Sequence, residues 1–306
     1  MILPSFVEQK KSLRLYNSWK VGGEAEYFCL PESDEQVVEV LHWCRNNQIS
    51  WTVLGGGSNV LISDKGISGM VICLRNFSGF SSYEDNGYFY VRCKAGTPKF
   101  TIMRVFMKAR LSPALFLSGL PGDMGGGVVM NAGVSEERIP REFREIIDQI
   151  TVVDTGENFG AHRTLNSNQI KWNYRHSDGW QPGIITEVVC KWPIDPDYQI
   201  PDKVKEANQL RLSKQPLDLP SGGSTFVNPP GGISAGALID QCGLKGFQIG
   251  GAQVSNKHAN FIVNVENASA QDIAKIISHI KTTVKQKKSI DLETEIKWLG
   301  DWSGQL

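Results

Sequence analysis

A glycine-rich segment directly after a strand-like run is the first feature of this chain that could do chemistry. The run Trp51–Leu54 stops at Gly55-Gly56-Gly57-Ser58-Asn59, and a second short strand-like run, Val60–Ile62, follows without an intervening helix. Residues that lack a Cβ let backbone N–H groups close on an anion, so this segment is suited to hold a phosphate. Dinucleotide folds of the Rossmann type need a G-x-G-x-x-G that opens a helix, and this chain has none. A diphosphate held here would therefore belong to a different fold.

A second glycine-dense segment lies between Ser118 and Gly133, and it contains a Pro-Gly pair and a Met-Asn-Ala-Gly run. Glycine inside an ordinary helix or strand costs about 0.5–1 kcal/mol relative to alanine, so core filling does not explain this density. The segment taken alone could be a set of tight turns. Two such segments in one chain of this length favour a bound dinucleotide.

The composition is that of an ordinary globular protein. With 306 residues the chain exceeds the usual size of a single core, so two domains are expected. Lys plus Arg and Asp plus Glu both total 32, and the formal net charge is zero, which indicates neither a nucleic-acid nor a membrane partner. The N-terminus has no signal-peptide pattern, and no stretch approaches the roughly 20 apolar residues of a membrane span. We therefore expect a cytoplasmic protein, and a monomer.

The six cysteines are scattered without a C-x-x-C pair or the spacing of metal ligands. Most of them lie among apolar residues, where a buried and unreactive thiol is the expected state. We therefore predict neither disulfides nor a metal site.

The elements that must position the two glycine segments follow an α+β pattern without regular βαβ alternation. Helices are predicted after the caps Ser33 and Ser269, after Thr97-Pro98, and over Lys203–Lys214 and Ser234–Cys242. Strands are predicted over the apolar runs Gly69–Leu74, Tyr88–Cys93, Gln149–Val153, Ile184–Trp192, Phe261–Val265 and Ile290–Leu299. The run Pro193–Pro201 contains three prolines in nine residues and is the best linker. We therefore expect one domain over residues 1–200 and a second over 201–306.

Seven motifs follow one another along the chain: Asn17–Gly23, Gly55–Leu61, Gly119–Gly133, Tyr174–Ser177, Pro220–Pro229, Gly250–Phe261 and Leu292–Ile296. In this order they give the chain a resemblance to the UDP-N-acetylenolpyruvoylglucosamine reductases, the flavoenzymes of peptidoglycan precursor synthesis. The resemblance runs from about Asn17 to Gly300, and it is closest to the smaller subclass of that family.

The resemblance implies a vanillyl-alcohol-oxidase (PCMH) type FAD-binding domain of two subdomains, followed by a C-terminal α+β substrate-binding domain. It implies noncovalent FAD, NADPH as co-substrate, and reduction of UDP-N-acetylglucosamine enolpyruvate to UDP-N-acetylmuramate. Hydride addition to the vinyl carbon distal to the ether leaves an enolate. The enolate needs a cation or an acid at its carboxylate and a proton donor at the adjacent carbon.

The resemblance also implies roles for particular residues. Arg175 and Glu295 match the pair that stabilises the enolate, and Ser224 matches the proton donor. Taken alone, these would be a surface ion-pair residue, an exposed strand residue and a turn serine. Tyr174 and Asn228 match substrate-binding positions. The expected FAD-binding residues are Gly55, Gly56, Gly57, Ser58, Asn59, Gly122, Gly125, Gly126, Asn131 and Gly133.

Several positions depart from the family pattern. Asp123-Met124 replaces a small neutral pair, Val227 replaces a lysine, and Asn256 replaces a glutamate. A carboxylate near the FAD diphosphate is unfavourable unless it points away or meets a cation. Three alternatives therefore stay open: a divergent paralogue with another enolpyruvyl or nucleotide-sugar substrate, a non-catalytic binding module, and a flavin oxidase. The glycine segments lack the His or Cys to which many such oxidases attach FAD. The sequence does not decide between NADPH and NADH.

Overall fold

A computed structural model describes residues 2–136 and 139–304. The helices are α1 (Asp34–Asn46), α2 (Lys99–Lys108), α3 (Pro113–Ser118), α4 (Met124–Val129), α5 (Ile200–Lys214), α6 (Ala235–Gln241) and α7 (Ala270–Lys288). The strands are β1 (Val7–Ser12), β2 (Glu24–Cys29), β3 (Trp51–Leu54), β4 (Val60–Ile62), β5 (Ile67–Cys73), β6 (Phe80–Asp85), β7 (Tyr88–Lys94), β8 (Gly133–Glu136), β9 (Ile139–Glu142), β10 (Ile147–Asp154), β11 (His162–Asn166), β12 (Lys171–Asn173), β13 (His176–Asp178), β14 (Gly183–Pro193), β15 (Ser221–Ser224), β16 (Gln248–Ile249), β17 (Ala252–Val254), β18 (Phe261–Asn264) and β19 (Lys297–Leu299).

The chain divides into two compact units that each combine distant segments. Unit 1 consists of Met1–Val7, Phe28–Gly56 and Met70–Gln209, and unit 2 of Glu8–Tyr27, Gly57–Gly69 and Leu210–Leu306. The functional division into residues 1–200 and 201–306 stays a prediction.

Unit 1 is built on a five-stranded sheet with the order β11-β10-β14-β7-β6, in which neighbouring strands are antiparallel. The isoleucines and valines of β10 and β14 are buried, and the short helix α4 packs against β14 and β7. Helix α1 begins at the predicted cap, where Ser33 Oγ accepts a hydrogen bond from the Gln36 N–H at 3.3 Å. The edge strand β6 is exposed along its whole length.

Unit 2 contains a four-stranded antiparallel sheet with the order β15-β18-β17-β16, and α7 packs on β16 and β17. Ser269 and Asp272 form a capping box at the start of α7. The predicted apolar stripe of α7 is confirmed, since its members are all buried; each contributes about 1.5–3 kcal/mol when removed from water. They are Ile273, Ile276, Ile277, Ile280 and Val284.

Helix α4 runs through the middle of the second glycine segment, where no helix was predicted. One expectation about elements was wrong. The C-terminal run Ile290–Leu299 is a strand only over Lys297–Leu299, which pairs in parallel with β4.

All six cysteines are buried, as predicted. Burial raises the pKa of the Cys44 and Cys73 thiols to about 11, so these thiols stay protonated at neutral pH. Within the described ranges, no helix has the length and apolar character that a membrane crossing requires.

Candidate functional site

The first glycine segment lies between β3 and β4, and close approach of other backbone explains its glycines. A Cβ on Gly56 would lie 2.9 Å from Gly122 Cα, and one on Gly57 would lie 2.1 Å from the Tyr16 carbonyl oxygen. Gly57 also has a φ of +69°, which favours glycine. Gly55 and Gly56 belong to unit 1, whereas Gly57, Ser58 and Asn59 belong to unit 2. The sequence thus predicted the segment correctly as a tight backbone turn that follows a strand.

In unit 1, two glycine N–H groups converge on the carboxylate of Asp123. Its Oδ2 accepts a hydrogen bond from the Gly56 N–H at 2.5 Å, and its Oδ1 accepts one from the Gly126 N–H at 2.7 Å. The second bond caps α4. A Cβ on Gly55 would lie 2.4 Å from Asp123 Oδ2. The segment therefore brings together Gly55, Gly56 and Gly126, three of the residues that the sequence assigned to FAD.

Asp123 is buried together with a lysine. Burial raises the pKa of the Asp123 carboxyl, and the Lys99 ammonium and the two glycine N–H groups oppose that rise. Burial lowers the pKa of Lys99 to about 8, against the opposing effect of Asp123. Lys99 Nζ donates to the Pro121 carbonyl at 2.7 Å. The carboxylate of Asp123 thus does not point away from the glycines, and it has a buried cation nearby.

Packing accounts for other glycines of the second segment. A Cβ on Gly125 would lie 2.8 Å from Ala95 Cβ, and one on Gly127 would lie 2.2 Å from the Phe143 ring. Gly122 has a φ of +82° and its carbonyl accepts from the Lys99 N–H. The glycines at positions 125 and 127 therefore let α4 lie close against Ala95 and Phe143.

Asn131 is fully buried, and both ends of its side-chain amide are bonded to protein. Its Nδ2 donates to Glu142 Oε2 at 3.1 Å and to the Asn173 carbonyl at 3.0 Å. Its Oδ1 accepts from the Arg144 N–H at 3.1 Å. Asn131 therefore joins the end of β12 to the segment around β9, and its role toward FAD stays a prediction.

Arg175 lies with Tyr174 in the two-residue turn that joins β12 to β13. It has a φ of +54°, which is an unfavourable conformation for a residue with a long side chain. Its Nη2 donates to the Gly133 carbonyl at 2.9 Å, and its guanidinium lies 4.6 Å from the centre of the exposed Tyr174 ring. A Cβ on Gly133 would lie 2.7 Å from Arg175 Nη1. The structure thus brings Gly133 of one motif together with Tyr174 and Arg175 of another.

In unit 2, backbone pairing brings Ser224 close to the segment that carries Glu295. Ser224 ends β15 and pairs with Phe261 of β18. Thr225 follows Ser224 in the chain, and its carbonyl accepts a hydrogen bond from the Glu295 N–H at 2.9 Å. Asn59 Nδ2 donates to the Glu295 carbonyl at 3.2 Å. Glu295 is half-buried, and it is therefore not the fully exposed strand residue that its local pattern alone would give.

Asn228 and Asn260 fix the chain on the C-terminal side of Ser224. Asn228 Oδ1 accepts from the Ala235 N–H at the start of α6 at 3.0 Å. The buried Asn260 accepts from the Phe226 N–H and donates to the Phe226 carbonyl, both at 2.9 Å. We assigned no role to Asn260 from the sequence. It lies inside the motif Gly250–Phe261, but nothing in the local pattern indicated a bond to a residue more than thirty positions away.

The donor groups of unit 1 suit a flavin dinucleotide. The N–H groups of Gly56 and Gly126 converge on the two oxygens of one anionic group, which is the arrangement that a diphosphate requires. A Cβ at Gly55 would intrude on the position of these two oxygens.

Comparison with known domain families agrees with this geometry. The FAD binding domain family matches residues 25–158. The C-terminal domain family of UDP-N-acetylenolpyruvoylglucosamine reductase matches residues 215–299. The chain is therefore a flavoprotein of the α+β class, with an FAD-binding domain and a separate C-terminal domain, which confirms the predicted fold class.

The similarity to individual proteins extends over nearly the full chain. The UDP-N-acetylenolpyruvoylglucosamine reductase of Synechococcus sp. is 37% identical and covers 98% of this chain and 97% of the relative. That of Caldanaerobacter subterraneus is 35% identical and covers 94% and 92%. The crystal structure of the reductase from Thermus caldophilus matches with a TM-score of 0.76 and 31% identity, over 96% of this chain and 98% of that one. The chain belongs to the UDP-N-acetylenolpyruvoylglucosamine reductase family.

Proposed function

We propose that the chain reduces UDP-N-acetylglucosamine enolpyruvate to UDP-N-acetylmuramate in peptidoglycan precursor synthesis, with noncovalent FAD and with NADPH as electron donor. The observation that carries this proposal is the match to reductases of this name over 98% of the chain. When bound, FAD would supply hydride transfer from NADPH to the vinyl carbon of the substrate. The protein has to bind both molecules, stabilise the enolate and deliver a proton.

In this proposal Arg175 stabilises the enolate through the substrate carboxylate. Its guanidinium is permanently charged and can hold a carboxylate with two parallel hydrogen bonds. The bond of Arg175 to the Gly133 carbonyl and its contact with the Tyr174 ring support this role, because they hold the guanidinium beside two other residues of the proposed site. Tyr174 and Asn228 complete the proposed set of substrate-binding residues.

Ser224 is the proposed proton donor, and Glu295 shares the stabilisation of the enolate. Ser224 lies at the end of a paired strand rather than in a free loop, which supports a fixed position for its hydroxyl. Glu295 is tied to the residue after Ser224 through the bond of its N–H to the Thr225 carbonyl. A serine hydroxyl is a weak acid, so it needs a hydrogen-bonded relay to protonate carbon.

The proposed FAD-binding residues are the ten glycine-segment residues named from the sequence. The proposal keeps an FAD-binding domain over residues 1–200 and a substrate-binding domain over residues 201–306, with Tyr174 and Arg175 of the first range also contacting the substrate. We further propose that the protein is a cytoplasmic monomer. Sedimentation velocity of the purified protein tests its oligomeric state.

An anaerobic absorption experiment tests the function. The purified protein, supplied with FAD, is treated with NADPH and then with UDP-N-acetylglucosamine enolpyruvate. Flavin bands that bleach with NADPH and return with this substrate support the proposal. Bands that bleach and stay bleached identify a flavin reductase with another acceptor, and a protein that never binds FAD refutes the proposal. The same titration with NADH measures the preference between the two donors.

A further inference from the structure

The carboxylate of Asp123 uses hydrogen-bond donors that the proposed FAD site needs. Its two oxygens accept from the Gly56 N–H at 2.5 Å and from the Gly126 N–H at 2.7 Å. Both glycines belong to the proposed FAD-binding set. A backbone N–H has a single hydrogen, so a well-aligned bond to the carboxylate leaves it unavailable for a phosphate oxygen.

Positive charge around Asp123 opposes the rise that burial causes in the pKa of its carboxyl. Lys99 is 4% exposed and attracts the Asp123 carboxylate. Arg75 also favours the ionised form of Asp123, and its Nη2 donates to the Gly56 carbonyl at 3.1 Å. The buried Cys73 thiol, whose pKa is raised, adds no charge at neutral pH. The same cations would attract a diphosphate, so the carboxylate competes for charge as well as for N–H groups.

We propose that Asp123 is an internal anion that competes with the diphosphate of FAD for the N–H groups of Gly56 and Gly126, and that it thereby sets the FAD affinity of this chain. The inference rests on the proposed function, because it takes FAD as the ligand. FAD binding displaces the carboxylate from these donors or neutralises it with a proton from solvent. Removing the negative charge while keeping a cap for α4 therefore tightens FAD binding.

The test is FAD affinity measured on flavin-free protein by quenching of flavin fluorescence. Asp123→Asn keeps an acceptor oxygen and loses the charge, and Asp123→Ser keeps a helix cap with a neutral hydroxyl. The matched control is Asp154→Asn. Asp154 is also a buried aspartate of unit 1 that accepts from a glycine N–H, that of Gly156 at 2.6 Å, and it pairs with Arg163 at 3.2 Å. Riboflavin, which has no phosphate, serves as the matched ligand.

We expect both Asp123 variants to bind FAD at least about tenfold more tightly than the unmodified protein, because a close like charge is removed from a buried site. Their riboflavin affinity and the FAD affinity of Asp154→Asn should stay unchanged. FAD binding by the Asp123 variants that equals or falls below that of the unmodified protein overturns the inference and leaves the proposed function standing. Equal tightening of FAD and riboflavin also overturns it, since the diphosphate would not be the group concerned. Failure of every variant to bind FAD overturns the proposed function and this inference together.

Discussion

Gly222 couples packing to the position of the proposed proton donor. It lies in β15 two residues before Ser224, and a Cβ there would lie 2.4 Å from the Cη2 and Cζ3 atoms of the Trp19 indole. Trp19 is fully buried, and its Nε1 donates to the Ile262 carbonyl at 2.7 Å. A contact this short forces the indole or the strand to move. Gly222→Ala therefore perturbs both stability and the Ser224 hydroxyl.

The neighbouring glycine provides a control with a different physical cause. Overpacking by one methyl group in a filled core costs about 1–3 kcal/mol, and we expect this loss of unfolding free energy for Gly222→Ala. Gly223 has a φ of +78°, and within residues 2–136 and 139–304 no atom beyond its own chain neighbours lies within 4 Å of its ideal Cβ. Gly223→Ala therefore costs about 1–2 kcal/mol through backbone strain alone.

A second substitution at Trp19 separates the two causes. Trp19→Phe removes the indole atoms that the new methyl group of Gly222→Ala would meet, so the two changes should be coupled by at least about 1 kcal/mol. The effects of Trp19→Phe and Gly223→Ala on the unfolding free energy should instead be additive. Thermal unfolding measures the stabilities. The rate at which substrate reoxidises the reduced flavin shows whether the Ser224 hydroxyl has been displaced. A Gly222→Ala protein as stable as the original, or no rescue by Trp19→Phe, refutes the reasoning.

The remaining predictions concern charge and proton transfer. Ser224→Ala should leave reduction of the flavin by NADPH intact and slow its reoxidation by substrate about 10²–10⁴-fold in stopped-flow; equal slowing of both steps would argue against a proton donor. Arg175→Lys should lower kcat/KM about 10²–10³-fold, because a lysine cannot reproduce the paired hydrogen bonds to a carboxylate; steady-state rates within a factor of two would contradict that role. Because the Lys99 pKa falls from 10.5 to about 8 in the folded protein, the unfolded state binds more protons between these pH values. The unfolding free energy of the original protein relative to Lys99→Met should thus rise by about 3 kcal/mol across that window in urea titrations, and a flat difference would contradict the assignment.

Local periodicity made much of the fold predictable. The stripe of α7 and its cap Ser269 follow from helical spacing and capping chemistry, and β3 and β4 from short apolar runs around a glycine turn. Helix α4 was missed because three glycines fall within its six residues, and glycine has poor helix propensity. Its cap at Asp123 and its packing on β7 and β14 override that propensity, and packing between strands distant in sequence cannot be read from a local pattern.

The sequence indicated which residues belong to the candidate site better than it indicated which residues they bond to. The sequence identified Asp123 as an unfavourable carboxylate near a diphosphate, but its bond to Gly56 spans 67 positions of the chain. The same limit applies to Asn260, which holds Phe226 from 34 positions away. Such pairings depend on how strands and loops assemble, and local propensities do not specify them.

Product analysis in deuterium oxide tests the central claim most directly. The protein is incubated with FAD, NADPH and UDP-N-acetylglucosamine enolpyruvate, and the nucleotide sugar is examined by NMR and mass spectrometry. The account predicts UDP-N-acetylmuramate in stoichiometric amount to the NADPH oxidised, with solvent deuterium on the carbon that bears the ether oxygen. Unchanged substrate, or NADPH oxidation at a rate that does not depend on this substrate, would contradict it.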